Sequence, residues 1–313
     1  MAYQTGVSTT LADLISTLIT FAKANGFTEG PSWSIQDTDP YYGYSVNYAI
    51  KSLVKDGIYF NFAYPQDSST VFLWMNTASA AGGAGRLVAQ QGAHPYSCRT
   101  DNLIGPHVGY HLFSDGSVIN VAVEIVTGVF VHFNFGVMQK NGDFVGGQFV
   151  TGQAVYAVNT NSRQDLWNDY HFIPYDTSRV GGSRSYGSVI SGHVRSQVSG
   201  PTVPLSRNDS GSNSRVFTTG WADNAGRQLI NNSPNKFNGR AVLVPVNFVQ
   251  SSSNDSGPYY QLGTVANARV LNIANLNPKE TVNTDWMVFP VSQKNGPGSV
   301  YVNSGNFGLA YRK

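Results

Sequence analysis

The sequence places His107 and His111 four residues apart in "HVGYH", with His94 a little upstream. Neutral imidazoles are strong zinc ligands, and a pair at fixed spacing is the beginning of a metal site. A helix would align the two rings, but Gly105, Pro106 and Gly109 argue against a helix here. Positions four apart on a strand also share a face, so the pair could still converge on one ion. Glu124 or His132 would have to supply a third ligand. The pattern stops short of a metal signature, and neither a metal nor any other cofactor is expected.

Acid–base and nucleophilic chemistry are served no better. Glycoside hydrolysis needs two carboxyl groups flanking one bond. Glu29, Glu124 and Glu280 are the only glutamates, and none sits in an acid/base signature. Asp39, Asp115, Asp143, Asp209 and Asp255 lie beside Gly, Pro, Ser or Asn, where a turn-forming role accounts for them. No G-x-S-x-G elbow and no Cys–His family signature around Cys98 is present. The expectation is a protein that is not an enzyme.

The stretch "FVHFNFGVMQKNGDFVGGQFVTG" from Phe130 to Gly152 is the other candidate grip for a ligand. A phosphate loop needs glycines at the N-terminus of a helix, usually with a lysine after the last of them. Here Lys140 precedes the glycines, and Phe149 and Val150 continue in a strand-like pattern. Asn141-Gly142 between apolar runs is instead the strongest short hairpin signal, because both residues tolerate positive φ. Gly146 and Gly147 then predict a bulge or close backbone packing in the returning strand. These four residues are expected to be structural.

The elements that would position such residues are short. Leu11, Leu14, Ile15, Leu18, Phe21 and Ala22 recur at three- and four-residue spacing, which predicts one amphipathic helix over about 11–24. Thr10 is its expected cap, with Asp13 three residues on, and Asn25-Gly26 its stop. Aromatic and β-branched runs follow, among them "SVNYAIKSL", "GIYFNFAY", "TVFLWMN", "VGYHLF", "VINVAVEIV" and "GVFVHFNFGVM", most of them alternating and separated by Gly, Asn, Asp or Pro. In "GIYFNFAY" the alternation puts Ile58, Phe60 and Phe62 on a buried face and Tyr59, Asn61 and Ala63 on the other. Phe133 and Phe135 likewise share a side that Asn134 opposes. "TASAAGGAGRL" from Thr77 reads as a loop.

The predicted class is mainly β with α+β character: antiparallel sheets in a sandwich, one N-terminal amphipathic helix, and a second β-rich region. The expected divisions are 1–158 for the helix and antiparallel β domain, 159–215 for a Ser/Gly/Arg-rich arm or linker, and 216–313 for the C-terminal β-rich region. Within the arm, Arg179, Arg184, Arg195, Arg207 and Arg215 are the expected interface residues, lying on a neighbouring subunit.

Composition narrows the partners. Only 12% of residues are charged and the formal net charge is +2, so no strong field draws nucleic acid or an anionic membrane, and neither is expected as a partner. No run approaches the ~20 apolar residues of a membrane span, and no secretory leader pattern opens the chain. The single cysteine, Cys98, cannot form an intrachain disulfide, which suits assembly in a reducing compartment and predicts a buried residue. An aromatic group at "PYYGY", Pro40 to Tyr44, is the one platform in the sequence for a carbohydrate or receptor.

Several segments together resemble virion structural proteins of tailed bacteriophages. They are the helix "LADLISTLITFAKANGF", then "DGIYFNFAY", then "GVFVHFNFGVMQKNGDFVGGQF", and the terminal "NIANLNPKETVNTDWMVFPVSQKNGPG" and "SGNFGLAYRK". The resemblance covers about 5–155 and 240–313 and leaves out the Arg/Ser-rich middle. It implies a non-enzymatic building block of the tail (baseplate or tail tip) or of the neck and collar, assembled in the host cytoplasm into the virion. Copies of itself and other virion proteins would be its partners, with host-surface contact as a receptor- or carbohydrate-binding tail module the alternative, and a cell-envelope-degrading enzyme the more remote one. Few Lys and Glu with many aromatics suit extensive subunit contact.

Overall fold

An apolar residue every third or fourth position makes a helix only if its ends are satisfied, and here both are. The computed structural model describes residues 1–38, 45–66, 72–82, 87, 90, 97–103, 105–153, 190–195, 202–204, 215–218, 241–251, 259–295 and 306–313. In it, strand β1 (Ala2–Ser8) leads into α1 (Leu11–Ala24). Thr10 Oγ1 accepts the Asp13 N–H at 3.1 Å, and Asp13 Oδ2 accepts the Thr9 N–H at 2.9 Å. At the far end Asn25 Nδ2 donates to Phe21 O, and Gly26 takes φ 85°. Leu14, Ile15 and Leu18 are fully buried, as the spacing predicts.

The remaining described elements are strands. β2 (Thr28–Glu29), β3 (Trp33–Thr38), β4 (Ser45–Lys55), β5 (Ile58–Pro65), β6 (Leu73–Ala78) and β7 (Cys98–Thr100) form one antiparallel sheet in the order β2-β4-β5-β6-β7, with β3 also on β4. β8 (His107–Ser114), β9 (Val118–Val126) and β10 (Val129–Val137) come next, then β11 (Gln139–Lys140), β12 (Val145–Thr151), β13 (Ile190–Arg195) and β14 (Thr202–Pro204). With β1, and without β11, they make a central sheet ordered β1-β8-β9-β10-β12-β13-β14. β15 (Arg215–Thr218), β16 (Val244–Ser251), β17 (Tyr259–Asn272), β18 (Thr281–Val282), β19 (Trp286–Pro290) and β20 (Phe307–Arg312) form a third sheet, β15-β16-β17-β20-β19-β18, which β11 joins through β17.

Layering follows from alternation. Leu112, Val121, Val123, Val131, Phe133 and Phe135 of the central sheet meet α1 and Leu53, Phe60, Phe62 and Met75 of the first sheet. Phe113, Ala122, Phe130 and Phe149, on the opposite face, meet Val246, Phe248, Val270, Phe289 and Tyr311 of the third. The central sheet is therefore covered on both sides, which is why its strands read as nearly unbroken apolar runs. The third sheet shares its core with the central one, so the residues expected as separate β regions pack as neighbouring layers.

Two expectations need correction. β5 is buried on both faces: Phe60 and Phe62 face α1, while Ala63 lies on the other face beside its cross-strand neighbours Ile50 and Trp74, in a buried cluster with Val46, Tyr48, Phe72 and Leu87. Asn61 is buried on that second side, where its Oδ1 accepts the Ser52 hydroxyl at 2.6 Å while its Nδ2 meets no hydrogen-bond acceptor among the described residues, so the position is an interior one.

The β9–β10 ladder has little room at Gly136, which stands opposite Val118. A Cβ there would lie 2.2 Å from Ser117 O and 2.7 Å from Val118 Cα, and φ is 143°. Gly136→Ala is expected to cost about 3 kcal/mol, since it combines steric overlap with a disfavoured φ. A fall in the urea midpoint at unchanged m would show it, and an unchanged midpoint would refute it.

Candidate functional site

Two of the candidate histidines and Glu124 meet on one face. In β8, β9 and β10 the alternation that sends Phe133 and Phe135 toward α1 sends His111, Glu124, His132 and Asn134 toward the third sheet. His111 and His132 both stand opposite Ala122 in register, so one small residue separates the two imidazoles across three strands. Phe289 of β19 covers both, with ring centroids 5.1 Å from His111 and 6.2 Å from His132.

His132 is fully buried with both ring nitrogens engaged. Nε2 lies 2.9 Å from Pro290 O and Nδ1 lies 3.1 Å from the Tyr311 hydroxyl. A carbonyl can only accept, so Nε2 carries the proton, and Nδ1 accepts from Tyr311. Burial holds the imidazole neutral and pushes its pKa down to about 4. His111 places Nδ1 2.9 Å from the Tyr3 hydroxyl; burial, then the Lys279 charge, lower its pKa to about 4 against the opposing pull of Glu124. Burial alone would raise Glu124, but the Gly128 N–H at 2.8 Å and the Lys279 ammonium at 2.9 Å outweigh it and hold the carboxyl below its ordinary value.

This arrangement clamps sheets together. His132 joins β10 to β19 and β20, and Glu124 joins β9 to the loop bearing Lys279. A metal would have to displace the Tyr311 hydroxyl from the one basic nitrogen of His132. His107 is spent elsewhere, with Nδ1 2.7 Å from Ser8 Oγ and Nε2 3.3 Å from Leu103 O, away from the Tyr3 partner of His111. His94 lies outside the described residues. Among the described residues no three His, Cys, Asp or Glu side chains are grouped to hold a metal ion.

The carboxylates are likewise dispersed. Glu29 pairs with Lys23 at the surface, Glu280 accepts the Asn277 N–H, and Asp115 accepts the N–H groups of Ser117 and Val118 in the β8–β9 turn. Cys98 is buried, and burial pushes its thiol pKa well above the ordinary value.

The glycine-rich stretch is more elaborate than a two-residue turn. β10 and β12 do pair, Asn134 with Thr151 through Val137 with Gln148. Asn141-Gly142, however, follows β11, which crosses to β17, with the Asn141 N–H donating to Leu262 O. Gly142 has φ 100° while Asn141 is absent from the positive-φ residues, so this is not the primed turn that the pair suggests. The physical reason is the competing edge of β17, which takes Gln139 and Lys140 before the chain returns. Gly146 and Gly147 have φ 105° and 95°, and the β12–β13 register shifts between Gly146 and Gln148.

Of the arm arginines, Arg179, Arg184 and Arg207 lie outside the described residues, as does "PYYGY". Arg195 ends β13 and Arg215 begins β15, so parts of the stretch expected as an arm or linker extend the central and third sheets.

Two charged features escaped sequence reasoning. Arg99 and Asp101 are buried together, with Nε 2.6 Å from Oδ1 and Nη2 donating to Oδ2 at 3.0 Å, and the guanidinium lies over Phe72 and Trp74. Arg269 directs Nη1 at three carbonyls, Val265 at 3.2 Å, Ala266 at 3.0 Å and Ala268 at 2.7 Å, and stacks 4.7 Å from the Trp286 ring. Those carbonyls belong to a bulge, for β16 pairs Pro245 with Arg269 and then Val246 with Val265. The bulge thrusts Asn267 into the central sheet, where Nδ2 donates to Val118 O at 3.2 Å. Arg269→Ala is expected to destabilise by about 2 kcal/mol, and Arg269→Lys to recover less than half, because an ammonium cannot both stack and fork. Equilibrium unfolding of the two variants decides this; equal stability of both with the parent would refute it. An "A-N-A-R" run inside a strand pattern was the available signal, too short to read alone.

Comparison of the chain with protein-family models and with curated proteins finds no match.

Proposed function

We propose that the chain is a non-enzymatic structural subunit of a tailed-phage virion, repeated in the tail (baseplate or tail tip) or in the neck or collar. The observation that carries this reading is the use made of the segment in which the resemblance is densest. "GVFVHFNFGVMQKNGDFVGGQF" supplies the middle of the central sheet, and its one histidine, His132, is consumed by Tyr311 and Pro290 rather than presented to a substrate. A side chain whose hydrogen-bonding capacity is filled by neighbouring layers holds those layers in register and leaves no free base for catalysis. Mass spectrometry and cryo-electron microscopy of particles purified from the phage that encodes the chain test the proposal. The expected result is the chain in several symmetry-related copies, and its absence from purified particles would overturn the reading.

A further inference from the structure

The edge of the central sheet is the feature left unassigned. β1 is its terminal strand, and among the described residues only β8 pairs with it. Half of its backbone N–H and C=O groups therefore face outward, a template for another strand. Terminal strands are normally blunted, and the other described ones are. β14 is three residues long and ends at Pro204, β15 has four residues, and β18 has two. β2 has two residues and carries Glu29, β3 carries Asp37, and β7 is three residues long. β1, "AYQTGVS", has seven residues, no charge and no proline.

We propose that β1 is a self-pairing edge, joining two copies of this chain by antiparallel β1–β1 addition about a two-fold axis at Gln4, so that two central sheets become one. Identical strands paired this way set residues against their own kind, and any charge near the axis would meet a like charge. An uncharged strand fits a second copy for that reason. The register through Gln4 sets Tyr3 against the partner's Thr5 and brings Met1 opposite the partner's Val7. Met1 is 58% exposed and Val7 73%, the two largest exposures among the large hydrophobics described, so this register covers both residues twice over. Val108, 47% exposed on β8, lies alongside Val7, because Gly6 pairs with Tyr110 and Ser8 with His107. Gln4 lies at the axis with its Nε2 donating to the Tyr110 hydroxyl of its own chain at 3.5 Å, so the groups brought together there are uncharged.

The test uses the full chain and two variants, Gln4→Lys and Gln4→Glu. Light scattering after size exclusion should give a dimer for the parent, half that mass for each variant alone, and the dimer mass again for an equimolar mixture of the two. Circular dichroism should be the same for all. Hydrogen exchange on the parent should show amides of residues 2–8 protected at high concentration and exposed on dilution, a readout independent of how the variants fold. A parent that is monomeric throughout the dilution series overturns the proposal. So do Gln4→Lys dimers as firm as the parent's, a mixture no more associated than its components, or edge amides that exchange equally at both concentrations. The proposal rests on the edge itself: absence of the chain from particles would overturn the virion reading and leave the pairing intact, while a monomeric parent would do the reverse.

Discussion

Acidification from pH 6.5 to 4 is expected to strip the protein of several kcal/mol of stability, mostly through two imidazoles. In the unfolded chain a histidine takes up a proton near its ordinary value of 6.5, whereas His111 and His132 do so in the folded chain only at about 4. Between these values the unfolded state holds more protons, so stability is fully present above pH 6.5 and is lost as pH falls toward 4. At about 1.4 kcal/mol per pH unit, each imidazole accounts for a loss on the order of 3 kcal/mol, a large share of a typical domain's ~5–15 kcal/mol. His107, lowered chiefly by burial, and Glu124, held below its ordinary value, push in the same direction. The structural consequence is specific: a proton on His132 Nδ1 turns an acceptor into a donor against the Tyr311 hydroxyl, and the charge it brings sits beneath Phe289. Urea midpoints measured across this range should fall steeply for the parent and with roughly half the slope for His132→Gln. A flat profile between pH 6.5 and 4 would show that these imidazoles are not held neutral by the fold.

Removing one ring from the opposite face should be nearly as damaging. Phe135 is fully buried, with ring centroids 5.0 Å from Phe62, 5.5 Å from Phe27 and 5.8 Å from Phe60. It thereby ties β10 to β5 and to the residue that follows the α1 stop. Phe135→Ala is expected to cost about 4 kcal/mol, from lost transfer energy, the cavity and broken edge-to-face contacts, and Phe135→Leu about half of that. The neighbouring layers are held rigidly by their own hydrogen-bond ladders, so the cavity should collapse only in part. Denaturant unfolding at neutral pH, where the histidine effect is silent, measures both; a Phe135→Ala cost below about 1 kcal/mol would mean that the cluster relaxes freely.

These two predictions concern opposite faces of one strand, and they mark where local pattern suffices. The period-two alternation of "VFVHFNF" is enough to separate Phe133 and Phe135 from His132 and Asn134. It cannot say what covers the second face, because polar residues there look the same whether they meet water or another sheet. The same ambiguity applies to β5: the face of Asn61 and Ala63 reads as solvent-facing, yet it is buried, with Ala63 between its cross-strand neighbours Ile50 and Trp74 in a cluster that also holds Leu87. At Asn141-Gly142 the chain does turn back, β10 pairing with β12, but the free edge of β17 takes up β11 just before the turn, which is a non-local contact. His107 and His111 share a strand and a spacing, yet Ser8 takes one and Tyr3 the other.

Features that depend on neighbours in the chain are legible from the residues alone: the bounds, cap and buried face of α1, the antiparallel β class, the buried cysteine, and the sorting of side chains to two faces of each central strand. These follow from steric periods and capping chemistry that act within a few residues. The three-layer stack, the crossing of β11, the Arg269-crowned bulge, and the pairing of His132 with Tyr311 and Pro290 emerge only in the folded chain. Those rest on contacts between residues more than a hundred positions apart, as His132 and Pro290 are, or on which of several sheet edges a strand reaches first, and no local period carries that information.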